Sequence, residues 1–433
     1  MRNAGGQKMA KTIYWFRNDL RLHDQPALQK LKDCDSLLPV YIVDERLFKK
    51  NSLGFASIGP FRIQFLLETL QNLKLNLKAL GSNLLVFIGK PTEIFQKINK
   101  MYAFSAILAQ KEHTAYEVKD EEDIEHFFPD KLKLHEGLTL INPKKVSFSI
   151  DQLPHVFTSF RKKVEKSGCI DDLTQRVTIL PKLPQITLAD NLADERLSVN
   201  EEIDDRTAFP FKGGESNGLQ HLENYIWKKQ LLVTYKETRN GLVGANYSSK
   251  LSPWLANGSL SPKRVYYEVK RFEQQVVKNS STYWLIFELL WRDFFRFTAI
   301  KHGKSLFLKQ GIGEVWDRKY TENLKWFNKW KNGETGQPFV DANMKELLLT
   351  GFMSNRGRQN VASYLCNDLK MDWTWGAKWF ENRLVDYDPC SNYGNWQYIA
   401  GVGNDPRKDR YFNLAKQAER YDPENKYQQL WLN

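Results

Sequence analysis

Four short β-branched and aromatic runs near the start of the chain constrain the fold more than any other feature. They are TIYWF (12–16), LLPVYIV (37–43), LLVFI (84–88) and AILA (106–109), and helical patterns at 59–79 and 92–100 lie between them. Strand–helix alternation of this kind predicts a Rossmann-like, doubly wound parallel sheet with helices on both faces. No GxGxxG follows the first run, so ordinary dinucleotide binding is not signalled there. From 141 to 215 the pattern breaks down around Pro143, Pro154, Pro181, Pro184 and Pro210, which predicts a long connection wrapping the domains. Beyond 216 the chain reads as helical, and 283–297 and 344–369 carry apolar residues at i, i+3, i+4 and i+7. The expected organisation is an α/β domain over 11–140, a linker over 141–215 and an all-α domain over 216–433.

Composition narrows the function classes. A net charge of +12 favours a polyanionic partner, although scattered surface lysines for solubility give the same total. Most of the 13 tryptophans fall after residue 280, where they serve as core, as stacking surfaces or as electron carriers, and composition does not choose among these. No stretch is apolar for the roughly 18 residues a membrane helix needs, and MRNAGGQKMAK lacks the core of a secretory signal. The four cysteines form no CxxC pair, so neither a zinc site nor a disulfide framework is expected, and the cytoplasm is the default location.

Several segments carry chemistry-bearing side chains. In 235–262, Ser248 and Ser249 precede Lys250 and a Pro-containing helix start. Such donors suit a phosphate, and equally a capped loop with no ligand. Glu288, Trp291 and Arg292 sit on or beside one helical face, as a site for a flat polar ring or as an amphipathic helix with an ordinary Arg–Glu pair. Asn355, Arg356 and Arg358 lie close together, and Asp386, Asp388 and Asn392 precede Trp396. Arg358 with Asp386 suggests a buried ion pair, which desolvation makes a poor device for stability alone.

WFRNDLRLHDQPAL (15–28) resembles the opening signature of photolyases and cryptochromes. SSKLSPWLANGSLSP, ELLWRDFFRF, TGQPFVDANMKELLLTGFMSNRGRQNVASYL and LVDYDPCSNYGNWQYIAGVGNDPRKDRYFN resemble that family's flavin-domain motifs, in the same order. The resemblance runs from about residue 12 to the end, and GVGNDPRKDRYF is similar to the DASH cryptochromes.

The resemblance implies FAD buried in the helical domain. Tyr235, Ser248, Ser249, Lys250, Leu251 and Ser252 match positions on its phosphate side, and Glu288, Arg292, Asn355, Arg358, Asp386, Asp388 and Asn392 match positions around ring and adenine. Asn392 falls where the family places a side chain at flavin N5, and an Asn there resembles the repair enzymes. The implied activity is blue-light-driven splitting of cyclobutane pyrimidine dimers, with Glu288, Asn355, Arg356 and Trp291 at the lesion. Gln359 and Tyr398 stand where strong duplex photolyases have Met and Trp, as in DASH proteins. Less stacking to offset base extrusion implies repair mainly in single-stranded or looped DNA, with salt-dependent binding. Trp396 and Trp373 match the inner members of an electron chain. The outer position aligns with Tyr320, and Trp316 and Trp326 are alternative ends. A 5,10-methenyltetrahydrofolate antenna is common in the family, and Glu112 matches its pterin contact. A monomer is expected, with RNA as a further polyanion to consider. The competing reading is a signalling photoreceptor with little repair. Against it stand the polar lesion positions and the absence of a long tail after YDPENKYQQLWLN.

Overall fold

The computed structural model describes residues 10–168, 170–199, 201–313, 319–405 and 410–433. All four apolar runs become strands: β1 Lys11–Phe16, β2 Ser36–Asp44, β3 Leu85–Gly89 and β4 Ala106–Gln110. A fifth, β5 Leu132–His135, was not anticipated, because LKLH is a short edge segment with no apolar run and is specified by its pairing with β4. The sheet is parallel throughout, in the order β3-β2-β1-β4-β5. Side chains alternate across it as a pleated strand requires. Tyr14 and Phe16 join one core while Ile13 and Trp15 join the core on the opposite face. The helical patterns between the strands form Pro60–Lys78 and Pro91–Tyr102, each opening on proline, whose missing N–H costs nothing at a helix start.

The remainder is helical, as expected, around one large core. The stretch read as a connection contains a real helix, Phe157–Ser167. Its buried residues Phe157, Phe160 and Val164 have helical spacing, but a lysine-rich outer face dilutes the pattern. Elsewhere this stretch follows an irregular path, with Ala208 and Phe209 in the helical core and Val177 and Leu197 against the sheet.

The two halves meet closely. Gly258 (φ +70°) packs against the chain just after β1, where an added Cβ would lie 1.7 Å from the Asn18 carbonyl oxygen. Arg21 donates to the Gly258 carbonyl at 2.8 Å, and the buried Glu215 carboxylate accepts from the backbone N–H groups of Leu22 and His23. The site is organised around the Ser280–His302 helix. Asn279 caps it, accepting from Ser281 and Thr282 N–H in a reciprocal box with the Thr282 hydroxyl, and Gly303 ends it at φ +52°.

Candidate flavin and lesion site

The loop before the short Ser252–Ala256 helix, the Ser280–His302 helix, and the Asn355–Ser363 and Pro389–Ala400 helices enclose a cavity of about 500 Å³. Six of its lining residues are cationic (Arg239, Lys250, Arg292, Arg356, Arg358, Arg410) and three acidic (Glu288, Asp386, Asp388), so its field favours an anion. An annex of about 80 Å³ shares Asn355, Arg358, Gln359, Asp386 and Asp388, and adds Asn392 and Trp396. Of the described residues singled out from sequence, Trp373, Tyr320, Trp326 and Glu112 lie away from these two spaces.

On the loop side, Ser248 and Lys250 adopt positive φ (57° and 54°). Non-glycine residues held there cost on the order of 1–3 kcal/mol each and recur where backbone is shaped for a ligand. The buried Lys250 ammonium donates to the Tyr247 carbonyl at 2.8 Å and sits over the Tyr247 ring, and burial holds its pKa well below the usual lysine range. Tyr235 and Leu251 are buried behind this loop. Opposite, Arg358 pairs with Asp386 at 2.9 Å, and the same carboxylate oxygen accepts from the Ser252 hydroxyl at 2.6 Å. The other oxygen, Oδ1, is buried with no partner among the described residues. Asp388 caps the Pro389–Ala400 helix by accepting from Ser391 N–H. Burial pushes its pKa up, but Arg296 and Arg292 more than offset this and hold it below the ordinary value.

The Glu288–Arg292 pair weighed from spacing does not form. Glu288 accepts from Arg239 at 2.8 Å and from the Trp284 indole at 3.2 Å, while Arg292 donates to the carbonyls of Leu138 (2.6 Å) and Leu255 (3.1 Å). Burial raises the Glu288 pKa, and Arg239 pulls it back. Arg356 donates to the Gln359 side-chain oxygen (2.9 Å) and to Asn240 (3.2 Å), whereas Asn355 is exposed at the rim. Trp291 is half-buried, with Tyr398 edge-on at 5.8 Å. Arg239 and Arg296 were missed, because each meets its carboxylate across a large chain separation that no local pattern marks.

Behind the annex, Asn392 donates to the Ala377 carbonyl, and the Trp396 ring packs directly on Gly376, where a Cβ would lie 2.2 Å from it. Gly376 is three residues beyond the buried Trp373, whose indole donates to the Lys309 carbonyl at 2.9 Å. The Lys309 ammonium lies 5.5 Å from the Tyr320 ring, and Thr321 bridges to Met371, so Tyr320 adjoins the Trp373 segment. Trp326 is exposed, and Trp316 lies outside the described residues. Glu112 does not sit on a surface helix, the ordinary alternative for such a carboxylate. It follows β4 at the β1/β4 switch point, buried, accepting from Asn18 at 3.1 Å, and burial pushes its pKa up to about 7.

Comparison with known proteins gives these features a common context. Residues 12–182 match the family model described as DNA photolyase, and residues 284–433 match the FAD binding domain of DNA photolyase. The chain is 46% identical to a cryptochrome DASH of Synechocystis sp. over 97% of its own length and 87% of that protein's. It is 47% identical to the chloroplastic/mitochondrial cryptochrome DASH of Arabidopsis thaliana, covering 97% and 75% respectively. The crystal structure of a Synechocystis sp. cryptochrome superposes with a TM-score of 0.94 at 46% identity, covering 98% of this chain and 89% of that one. A bacterial class III photolyase from Agrobacterium tumefaciens superposes at 0.85 with 26% identity, covering 100% and 88%. The chain belongs to the photolyase–cryptochrome family, on its cryptochrome DASH branch. Its helical half carries that family's FAD-binding domain. Among the described residues, no helix is long and apolar enough to cross a membrane.

Proposed function

We propose that the protein uses FAD and blue light to split cyclobutane pyrimidine dimers, mainly in single-stranded or looped DNA. The observation that carries this reading is one cavity with two chemistries. A cationic inner part holds the Arg358–Asp386 pair, and an aromatic and polar wall is formed by Glu288, Trp291, Gln359 and Tyr398. The residues present fit FAD. The positive-φ Ser248–Lys250 loop suits a diphosphate, Asp386 Oδ1, without a partner among the described residues, suits a donor, and Asn392 offers a side chain beside the annex. When bound, reduced and excited FAD supplies the electron that opens the cyclobutane ring and takes it back afterwards.

The chain's own groups bind, orient and balance charge. Arg358, itself held by Asp386, would supply a positive charge to a reduced, anionic flavin. Glu288 accepts from a base ring N–H as a carboxylate, or donates to a base carbonyl when protonated, with Arg239 and Trp284 fixing its carboxyl group. Trp291 gives the pyrimidines a stacking face, and Asn355 and Arg356 hold the strand at the rim. With Gln359 and Tyr398 in the wall, fewer apolar contacts offset the unpairing of a duplex, so strands already open are the preferred substrate. Trp396, Trp373 and Tyr320 form an electron path from the surface to the annex. Glu112, accepting from Asn18 beside the β1/β4 switch point, would hold a 5,10-methenyltetrahydrofolate antenna.

The deciding experiment illuminates purified, reduced protein with thymine-dimer oligonucleotides, single-stranded and duplex, beside a dark control. Light-dependent repair of the single strand is expected. No repair of either strand by flavin-loaded protein overturns the enzyme reading in favour of light signalling.

A further inference from the structure

The connecting stretch contributes an aromatic ring to the site without lining the cavity. Phe157, the first residue of the Phe157–Ser167 helix, is only 4% exposed, and its ring lies parallel to the Trp291 indole at 3.8 Å between centroids and 12° between planes. The receiving surface is a stripe at i, i+4 and i+7 on the Ser280–His302 helix. Phe287 meets Phe157 edge-on at 5.1 Å and Phe294 does so at 5.7 Å. Phe287 and Trp291 also line the cavity, so Phe157 covers one indole face and backs the wall that the cavity presents. The turn before Phe157 is anchored too. The His155 carbonyl accepts from Asn404 at 2.9 Å, just beyond the helix that carries Tyr398, whose ring meets the indole edge-on.

We propose that Phe157 is a positioning residue for lesion capture: it sets the plane of the Trp291 indole against which the extruded pyrimidine pair stacks. The proposal rests on the repair reading of the cavity. The indole is half-buried at the cavity wall, with Phe294, Phe295 and Tyr398 also around it, and the parallel ring stacked on one face favours one orientation before the strand arrives. That pre-organisation lowers the ordering cost of binding the pyrimidine dimer and leaves contacts to phosphates untouched.

The test measures binding of flavin-loaded protein to a dimer-containing single strand and to the undamaged strand of the same sequence, and turnover under light. The variants are Phe157→Leu, Trp291→Leu and the double variant, with Phe157→Met in place of Phe157→Leu if that variant fails to fold. Losing the stacked ring should weaken binding of the damaged strand about three- to tenfold. For Phe157→Leu alone, affinity for the undamaged strand and turnover at saturation should stay within about twofold, inside the spread of ordinary additivity. In the Trp291→Leu background the Phe157 substitution should have no further effect, because its role runs through the indole. Equal weakening on both strands, or independent effects that multiply in the double variant, overturns the proposal while leaving the repair reading intact. A parent protein that does not prefer the damaged strand removes the repair reading, and this role with it.

Discussion

Replacing Glu346 with glutamine should stabilise the protein, and increasingly so as the pH rises. Glu346 lies on the Pro338–Thr350 helix with no exposed surface, beneath the loop that carries Lys250. One carboxylate oxygen accepts from the Tyr427 hydroxyl at 2.6 Å, docking the C-terminal helix, and the other has no partner among the described residues. Burial pushes its pKa from 4.5 up to about 7, against the pull of Tyr427, Lys250 and Arg358. The folded state therefore keeps a proton that the unfolded chain gives up between these two values. Stability falls as pH rises through that window, by about 3 kcal/mol once the group is ionised. Lys250, with its pKa lowered by burial and pulled back up by Glu346, has the opposite slope, so the difference between variant and parent reads the Glu346 carboxyl together with its coupling to Lys250. Glutamine keeps the acceptor for Tyr427 and never ionises. Over 433 residues, at about 2 cal/mol/K of unfolding entropy each, 3 kcal/mol corresponds to about 3 °C in Tm. Thermal unfolding should show Glu346→Gln near the parent at pH 5 and above it by about that amount at pH 8. An offset that is the same at both pH values, or a variant less stable at pH 8, refutes the reasoning.

Three further outcomes follow from the site. Asp386→Asn removes the counter-charge of Arg358 and should weaken FAD retention by about ten- to a hundredfold, read by equilibrium dialysis against flavin absorbance. Glu288→Gln turns a charge-assisted acceptor into a neutral one. It should keep its flavin but lose about 1 kcal/mol of lesion contact, a roughly fivefold fall in repair per bound flavin, and an unchanged yield removes the role given to that carboxylate. Trp396→Phe should slow photoreduction of oxidised flavin while sparing repair by chemically reduced protein, and Tyr320→Phe should act in the same direction. An unchanged photoreduction rate in Trp396→Phe means that the electron enters elsewhere.

The features readable from the sequence were those encoded locally. Four strands announced themselves as apolar runs, and the Ser280–His302 helix by its periodicity, because burial follows chain spacing within one element. Half of the residues lining the main cavity are legible in the sequence because they fall in contiguous motifs. Tertiary structure decided the partners. Glu288 takes Arg239 rather than its helical neighbour Arg292, Asp388 takes Arg296, and Phe157 of the connecting stretch backs Trp291. Strand β5 exists because β4 offers an edge, and Glu112 is buried beside Asn18, which the β1–β4 pairing brings to it. Spacing along a chain governs contacts within a turn or two, whereas the partner of a charge or ring is chosen by whichever distant segment packs against it. That choice is made only when the whole core closes.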